Sequence, residues 1–313
     1  ITLRQLQVFE KVASHLNYSR AAKELYLSQP AVSMQIKQLE TNIGLPLFEQ
    51  MGKKIFLTEA GRELFHYSRN IAQQLAEMEA VFDGMKGLGG GKLTLSVVNT
   101  ANYFTPQLLA EFCRRHPGVN VILQVANRDA VLGQLADNST DLAIMGRPPD
   151  GLDVTAEPFM DNPLVVIAAP GHPLATLRRV KLAQLAHETF LSREQGSGTR
   201  SAMERIFAQH RIQPRVSMEM ETNEAIKQAV QAGMGLGILS LHSIELELET
   251  GRLAILNAEH FPLLRHWFVV HRSNKRLSGA ALAFKEFLLK EAERFICPAP
   301  KKRKAPTVQR KKA

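Results

Sequence analysis

One long amphipathic stretch divides this chain into a short first part and a longer second part. Apolar side chains recur there at every seventh residue: Leu64, Ile71, Met78 and Met85. This spacing predicts a single heptad helix over 58–86. Such a helix buries its stripe poorly by itself, so a second copy of the chain is the simplest partner, and packing against its own domain is the alternative. The glycine-rich KGLGGGK predicts a hinge at 87–91.

Residues 1–57 predict three helices followed by a β-hairpin. Ser19 is expected to cap the second helix and Ser28 the third, with Pro30 in a first turn where a missing backbone N–H costs nothing. Two β-prone runs on either side of 51–54 predict the hairpin. Two short helices with a tight connection, followed by a hairpin, indicate a winged helix-turn-helix, which binds DNA.

The third helix has a polar face that is unusual for a helix facing solvent. Val32, Ile36 and Leu39 form its apolar stripe, whereas the opposite face carries short and mostly uncharged side chains. The major groove of B-DNA admits one helix, and polar side chains in its first turns read the base edges. With the hairpin lysines, the candidate DNA contacts are Ser19, Ser28, Gln29, Pro30, Ser33, Lys37, Lys53 and Lys54.

These side chains differ in what they can recognise. Gln29 can make two hydrogen bonds to adenine, Ser33 can donate or accept, and the ring of Pro30 can lie on a thymine methyl. Lys37 can reach a phosphate or a guanine, while the two hairpin lysines would hold the DNA backbone without specifying sequence. A polar helix face is ordinarily solvated surface. The preceding helix, the turn and the basic hairpin, in this order, favour DNA recognition instead.

The net charge of +9 is located mostly at the C-terminal end. Residues 301–312 contain seven Lys or Arg side chains and no acid, so 9 − 7 leaves +2 for the rest of the chain. Interrupting prolines and few apolar residues predict a disordered basic tail over 297–313. This tail either touches DNA phosphates non-specifically or is solvated without a role of its own.

Strand-like and helix-like segments alternate over residues 92–296. This alternation predicts α/β units with mostly parallel sheets. A segment of this length can form two small sheet domains with a ligand crevice between them. We expect lobe I to contain about 92–161 and 267–296, and lobe II about 162–266.

Polar residues at predicted strand ends and helix starts are candidate effector contacts. Backbone N–H groups at a helix start bind an anion with help from the helix dipole, and arginines add positive charge. The candidates are Thr100, Asn102, Arg147, Ser197, Thr199, Arg200 and Asn223. Together they favour a small carboxylate or phosphate ligand. For each residue alone, helix capping or a surface ion pair is the alternative.

The stretch from LRQLQVFEK to LFEQMGKKIFLTEAG closely resembles the winged helix-turn-helix of LysR-type transcriptional regulators. The long helix, the hinge and the α/β part follow in the order of that family. The resemblance implies an α + α/β fold, with a dimerising linker helix, often a tetramer, and a two-lobed effector domain like periplasmic binding proteins. It also implies a bacterial cytoplasmic regulator that binds an interrupted inverted repeat in double-stranded promoter DNA.

Two details of the resemblance concern the target and the DNA contacts. LFEQMGKKIFLTEAG, IMGRPP and SREQGSGTR are similar to the subgroup that controls carbon-fixation (RuBisCO) operons, and regulation of another metabolic operon is the alternative. An activator of this kind would also contact RNA polymerase. The family often has Arg at the position of Gln50, so the hairpin lysines are expected to carry more of the backbone contact here.

Other classes of protein are disfavoured. The ten histidines are scattered, HExxH and P-loop motifs are absent, and neither Cys113 nor Cys297 has a visible base partner or metal-ligand spacing. We therefore expect no enzyme, metal or cofactor besides a small effector. The sequence also has no apolar run long enough to span a bilayer and no export signal, which argues against a secreted solute-binding protein.

Overall fold

We describe the chain from a computed structural model, which covers residues 1–52, 54–85 and 90–296. Lys53 and the predicted tail at 297–313 lie outside the described residues. The N-terminal domain consists of α1 (Leu3–His15), α2 (Tyr18–Glu24), α3 (Gln29–Ile43), β1 (Phe48–Met51) and β2 (Lys54–Leu57). The two strands pair antiparallel and form the predicted hairpin. Apolar side chains of α1, α2 and α3 make one buried core.

Two helix starts in this domain were predicted from their capping residues. Ser28 caps α3 as predicted, because its hydroxyl accepts a hydrogen bond from the Ala31 N–H at 3.4 Å. The prediction for Ser19 was wrong. Asn17 caps α2 instead, since its backbone is extended and its side chain accepts from the Arg20 N–H at 2.9 Å. Because α2 starts at Tyr18, Ser19 lies inside its first turn. Asn and Ser are equally good capping residues, so residue type alone does not decide between Asn17 and Ser19.

The long helix α4 (Glu59–Met85) starts on the N-terminal domain and continues beyond it. Leu64 and Phe65 pack against the core of that domain. Farther along, one stripe is exposed in the single chain and contains Tyr67, Ile71, Met78 and Phe82. The start of the helix thus packs on its own domain, while these four apolar side chains farther along are exposed. No helix among the described residues is long and apolar enough to cross a membrane.

The chain beyond the linker alternates strands and helices. Its elements are β3 (Gly91–Val98), α5 (Thr105–Arg115), β4 (Val119–Ala126), α6 (Arg128–Ala136), β5 (Leu142–Met145), β6 (Val154–Asp161), β7 (Leu164–Ala168), α7 (Leu182–Leu185), β8 (Thr189–Arg193), α8 (Gly198–Gln209), β9 (Arg215–Met220), α9 (Asn223–Gln231), β10 (Leu236–Ser240), α10 (Glu245–Glu249), β11 (Ala254–Ile255), β12 (His266–Arg272) and α11 (Gly279–Phe295).

The predicted hinge at 87–91 needs a correction at its C-terminal end, because Gly91 already pairs with Val119 as part of β3. Residues 86–89 lie outside the described residues.

The strands form two five-stranded sheets, each in its own lobe. The order is β4-β3-β5-β12-β6 in lobe I and β11-β7-β10-β8-β9 in lobe II. The prediction of mostly parallel sheets was wrong, since each sheet has two parallel and two antiparallel neighbouring pairs. The reason lies in the path of the chain. It leaves lobe I after β6 and returns through β12 beside it, so these two strands must run in opposite directions.

The chain passes between the lobes twice, after β6 and before β12, and these two segments pair with each other along their length. In lobe I, His266 lies opposite Asp161. Between the lobes, the Asn162 N–H donates to the carbonyl of Arg265 at 2.7 Å. In lobe II, Leu164 and Leu263 form an antiparallel bridge. The lobes are therefore joined by a two-stranded ribbon.

Candidate DNA-reading surface and effector crevice

The exposed face of α3 carries the side chains that the sequence predicted. Val32, Ile36 and Leu39 are buried and fix the rotation of the helix. Gln29, Pro30 and Lys37 are exposed and Ser33 is half-buried. The Gln29 amide donates to the Ser33 hydroxyl at 2.9 Å. This contact holds two hydrogen-bonding groups side by side on the face that is free of the core.

The hairpin is anchored to the end of α3 by one carboxylate. Glu40 Oε1 accepts from the backbone N–H groups of Leu47 at 2.8 Å and Phe48 at 3.3 Å. Lys54 is exposed at the start of β2. The Gln50 amide donates to the Gly52 carbonyl at 2.9 Å, so this side chain is engaged in the turn of the hairpin. The hairpin thus has a fixed position beside the recognition helix and an exposed lysine at its tip.

A crevice between the two lobes is the second candidate site. It encloses about 450 Å³, part of it open to solvent. Its walls come from strand ends, helix starts and the crossing ribbon, and its lining residues are Val98, Asn99, Thr100, Asn127, Arg128, Gly146, Asn162, Arg193, Glu194, Ser197, Gly198, Thr199, Arg265 and Trp267. The boundary between two lobes is a usual place for a small-ligand site.

The crevice gathers several residues that the sequence singled out. Thr100, Ser197 and Thr199 line it and are almost completely buried. Asn223 lies behind the wall, where its amide donates to the Thr100 hydroxyl at 3.3 Å and its oxygen accepts from Arg193. Since Thr100 belongs to lobe I and Asn223 to lobe II, this contact joins the two lobes.

Three predicted effector contacts lie elsewhere. Asn102 is exposed on a short 3-10 helix, which turns this residue away while Asn99 and Thr100 line the crevice. Arg147 is exposed and also absent from the wall; the preceding residue, Gly146, lines it instead. Arg200, in the first turn of α8, is absent from the wall as well.

Arg200 is directed to the outside of lobe II. Its guanidinium pairs with Glu204 one turn along α8 at 2.8 Å and with Glu219 on β9. These two carboxylates raise the pKa of Arg200 through hydrogen bonds. The positive charge of Arg200 is thus paired with two acids within lobe II.

The arginines that do line the crevice are Arg128, Arg193 and Arg265. Arg193 is buried and makes a two-pronged pair with Glu194, with N–O distances of 2.7 and 2.8 Å. Arg265 is partly buried and donates to the Gly198 carbonyl at 3.0 Å. Within the described part of the chain, neither Arg265 nor Arg128 has an acidic partner at ion-pair distance.

The pKa of Arg265 reflects its burial and the positive charges close to it. Burial, followed by the nearby charges of Arg205 and Arg128, lowers its pKa to about 10. Burial without a carboxylate disfavours the charged form, and an anion in the crevice would relieve that cost. Sequence reasoning did not single out Arg193, which is the last residue of β8, or Arg265, which precedes β12 rather than following a strand.

The start of α8 adds uncharged donors to the same wall. Ser197 is in the capping position, but its hydroxyl makes no capping hydrogen bond. The first backbone N–H groups of a helix have no partner within the helix, and they carry the positive end of its dipole. Beside Arg265, this helix start favours an anion with several oxygens. Across the described residues, no group of three or more His, Cys, Asp and Glu side chains could hold a metal ion.

Comparisons with known proteins place the whole chain in one family. The family model described as "Bacterial regulatory helix-turn-helix protein, lysR family" matches residues 3–62, and the one described as "LysR substrate binding domain" matches residues 86–293. This chain therefore belongs to the LysR family of bacterial transcriptional regulators. It is a DNA-binding regulator with an effector domain and not an enzyme, as its sequence predicted.

Individual relatives agree with this assignment. The chain is 57% identical over 297 residues to a protein of Allochromatium vinosum named RuBisCO operon transcriptional regulator, covering 95% of this chain and 98% of that protein. A solved structure of the Synechocystis PCC6803 CcmR regulatory domain, in complex with 2-phosphoglycolate, is 40% identical in sequence to this chain. The match has a TM-score of 0.63 and covers 64% of this chain and 97% of that domain. A full-length CbnR structure with its target DNA has a TM-score of 0.68 over 93% of this chain and 100% of that one, and at 21% identity it shows the shared fold alone.

Proposed function

We propose that this chain regulates carbon-fixation genes and that a small anionic metabolite bound between its lobes controls how it holds promoter DNA. The observation that carries the proposal is the crevice, which Arg128 and Arg265 line without an acidic partner at ion-pair distance among the described residues. The target genes are inferred from the relative named RuBisCO operon transcriptional regulator. Control of another metabolic operon is the alternative.

The effector we propose is a phosphorylated or carboxylated metabolite, with 2-phosphoglycolate as the first candidate. A similar regulatory domain has been solved in complex with this molecule. The arginines and the start of α8 offer charged and uncharged donors that suit a phosphate. Thr100, Ser197 and Thr199 add hydroxyl groups from both lobes.

A ligand that bridges the lobes acts by stabilising one lobe arrangement over another. Equal affinity for two arrangements shifts nothing, however tight the binding. The difference would pass through the linker helices to the spacing of the two recognition helices. We expect it to change the bending of DNA more than the affinity for DNA.

On DNA, we propose a dimer formed through α4 and a tetramer formed from two dimers. The exposed stripe of α4 supports the dimer, because four large apolar side chains are otherwise left in water. Two recognition helices related by a twofold axis would read an interrupted inverted repeat. Gln29 and Ser33 would read bases, and Lys53 and Lys54 would hold the backbone. An activator would in addition contact RNA polymerase.

Footprinting on the DNA upstream of the neighbouring operon tests this proposal. The full chain should protect an inverted repeat there, and 2-phosphoglycolate should change the length or the bend of the protected region. Protection that is insensitive to 2-phosphoglycolate but sensitive to another anion would favour the alternative operon. Protection of no upstream DNA would contradict the proposal as a whole.

A further inference from the structure

Met34, in the second turn of α3, leaves an apolar side chain exposed on the recognition helix. It lies two residues from both Val32 and Ile36, and two residues correspond to about 200° around the helix axis. Those two side chains are buried in the core of the domain, whereas Met34 is 66% exposed. The packing of the domain therefore gives no reason for an apolar residue at this position.

A single exposed apolar side chain is ordinary on a protein surface. Met34 differs because its neighbours on the helix are candidate base contacts. Pro30 is four residues before it and Lys37 three residues after it, and these spacings place side chains next to each other on one face of a helix. Both neighbours are exposed as well. The apolar side chain of Met34 thus belongs to the face that we propose to read DNA.

The chemistry of the major groove indicates what an apolar side chain on this face can meet. Base edges there present hydrogen-bond donors and acceptors, and their apolar group is the C5-methyl of thymine. A thioether is at most a weak acceptor, so Met34 has little to offer the polar groups. Methionine is unbranched and flexible, and it therefore adapts to the position of a methyl group. Pro30, one turn earlier, offers a second apolar surface on the same face.

We propose that Met34 is a specificity-determining residue for DNA: its side chain contacts the C5-methyl group of one thymine in each half-site and selects thymine at that position. This inference rests on the proposed function, in which α3 lies in the major groove. Any other base at that position leaves the apolar side chain without a methyl partner or against a polar group, which is unfavourable. Gln29 and Ser33 read polar groups by hydrogen bonds, so Met34 adds a different kind of base contact to the same helix.

Deoxyuridine provides a matched test, because it pairs like thymine and differs from it only in lacking the methyl group. The full-length protein first selects its preferred duplex from a library of random sequences. Each thymine of the selected half-site is then replaced by deoxyuridine in turn, and binding is measured by titration. At the thymine that meets Met34, this replacement should weaken binding of the unmodified protein about fourfold, which corresponds to the burial of about one methyl or methylene group.

Substitutions at position 34 then connect the methyl group to this side chain. Met34→Ala should bind thymine and deoxyuridine equally at that position, whereas Met34→Leu keeps an apolar side chain and should retain most of the difference. A methyl dependence at another thymine that survives in Met34→Ala is assigned to Pro30. Met234→Ala shortens an exposed methionine of lobe II and should bind like the unmodified protein. Because Met34 is exposed, its replacement by alanine should leave the melting temperature unchanged.

Several outcomes would overturn the inference. Met34→Ala could keep the methyl dependence at every thymine, or it could weaken all duplexes alike, which would indicate a backbone contact. A changed assembly of Met34→Ala in sedimentation would place the side chain in a protein interface instead. If the unmodified protein selects no preferred duplex, the proposed DNA recognition fails and the inference fails with it. If it selects one in which no thymine methyl matters, only the inference about Met34 fails.

Discussion

The guanidinium of Arg265 lies directly against Gly146, the residue that follows β5. A Cβ atom at Gly146 would stand 2.6 Å from Arg265 Nη2, closer than real Cβ atoms approach another heavy atom. Gly146 itself has no side chain to offer a ligand. Its contribution to the crevice is the space in which the guanidinium of Arg265 lies.

Gly146→Ala should therefore weaken effector binding without unfolding the protein. The new methyl group meets only the end of a flexible side chain, so Arg265 moves and the backbone keeps its course. We expect calorimetry to show a loss of roughly 1.5 to 3 kcal/mol for 2-phosphoglycolate, the usual worth of a hydrogen bond to a charged group. Gly133→Ala in α6, where nothing lies within 4 Å, should bind normally. Equal losses in both variants would remove this role from Gly146.

Arg265 and Arg200 should differ sharply when each is replaced by Gln. Arg265→Gln removes one of the two positive charges of the crevice that have no acidic partner among the described residues, and it should abolish the response of the DNA footprint to 2-phosphoglycolate. Arg200→Gln breaks surface ion pairs with Glu204 and Glu219, which are worth roughly 0 to 1 kcal/mol, and should leave the response intact. Loss of the response in the Arg200 variant would show that the crevice is not the effector site.

On the DNA side, base contacts and backbone contacts should separate. Gln29→Ala is expected to weaken binding to the target repeat by roughly 1 to 3 kcal/mol and to relax the base preference. Lys54→Ala should weaken all sequences alike and reduce the log–log salt slope by about one for each subunit contact. Binding titrations at several salt concentrations, on target and scrambled DNA, measure both effects. A change of base preference in the lysine variant alone would reverse the two assignments.

The exposed stripe of α4 should be needed for dimerisation. Ile71→Asp would place a charge within the proposed helix pair, where it has no partner and cannot be solvated fully. Sedimentation velocity should then show monomers or aggregates, and specific binding to the inverted repeat should be lost. His66→Asp adds a charge at an exposed position off the stripe of the same helix and should leave the assembly intact. An unchanged dimer in the Ile71 variant would exclude this interface.

Acid should destabilise the effector domain through His242. Burial lowers the pKa of His242 to about 4, against an opposing effect of Asp161. A depressed histidine pKa means that the folded state resists protonation, so stability is lost as the pH falls from about 6.5 towards 4. The loss amounts to roughly 3 kcal/mol.

Urea unfolding at a series of pH values measures this effect. His242→Gln should show a shallower loss of the free energy of unfolding between pH 6.5 and 4, because glutamine does not titrate. His187→Gln replaces an exposed histidine of the same lobe and serves as the control. Parallel curves for the His242 variant and the unmodified protein would assign the acid sensitivity to other groups.

The recognition helix was predictable because its determinants are local. The stripe of Val32, Ile36 and Leu39 fixes which side of α3 is buried, and a cap such as Ser28 fixes where the helix starts. Neighbouring residues hold both signals. For α2 the local signals were ambiguous, since Asn17 and Ser19 are both good caps and only the backbone conformation decides between them.

The crevice was only partly predictable because it depends on segments far apart in the chain. Thr100 and Ser197 carried the general signal of a polar residue at a strand end or helix start. Whether an arginine faces the crevice depends on sheet order and on acids in neighbouring elements; Glu219, which holds Arg200, is such a case. Strand β6 is hard to recognise from sequence because Pro158 interrupts its pattern, and an edge strand tolerates such a proline.

The paired ribbon that joins the lobes sets how a ligand can act mechanically. Asn162 and Arg265 are hydrogen-bonded to each other in that ribbon and both line the crevice. A molecule bound there would contact the segments that connect the lobes as well as the lobe walls. Any change in the angle between the lobes would have to be accommodated in this ribbon, and for a given angle the parts of each lobe far from the ribbon would move farther than the parts beside it.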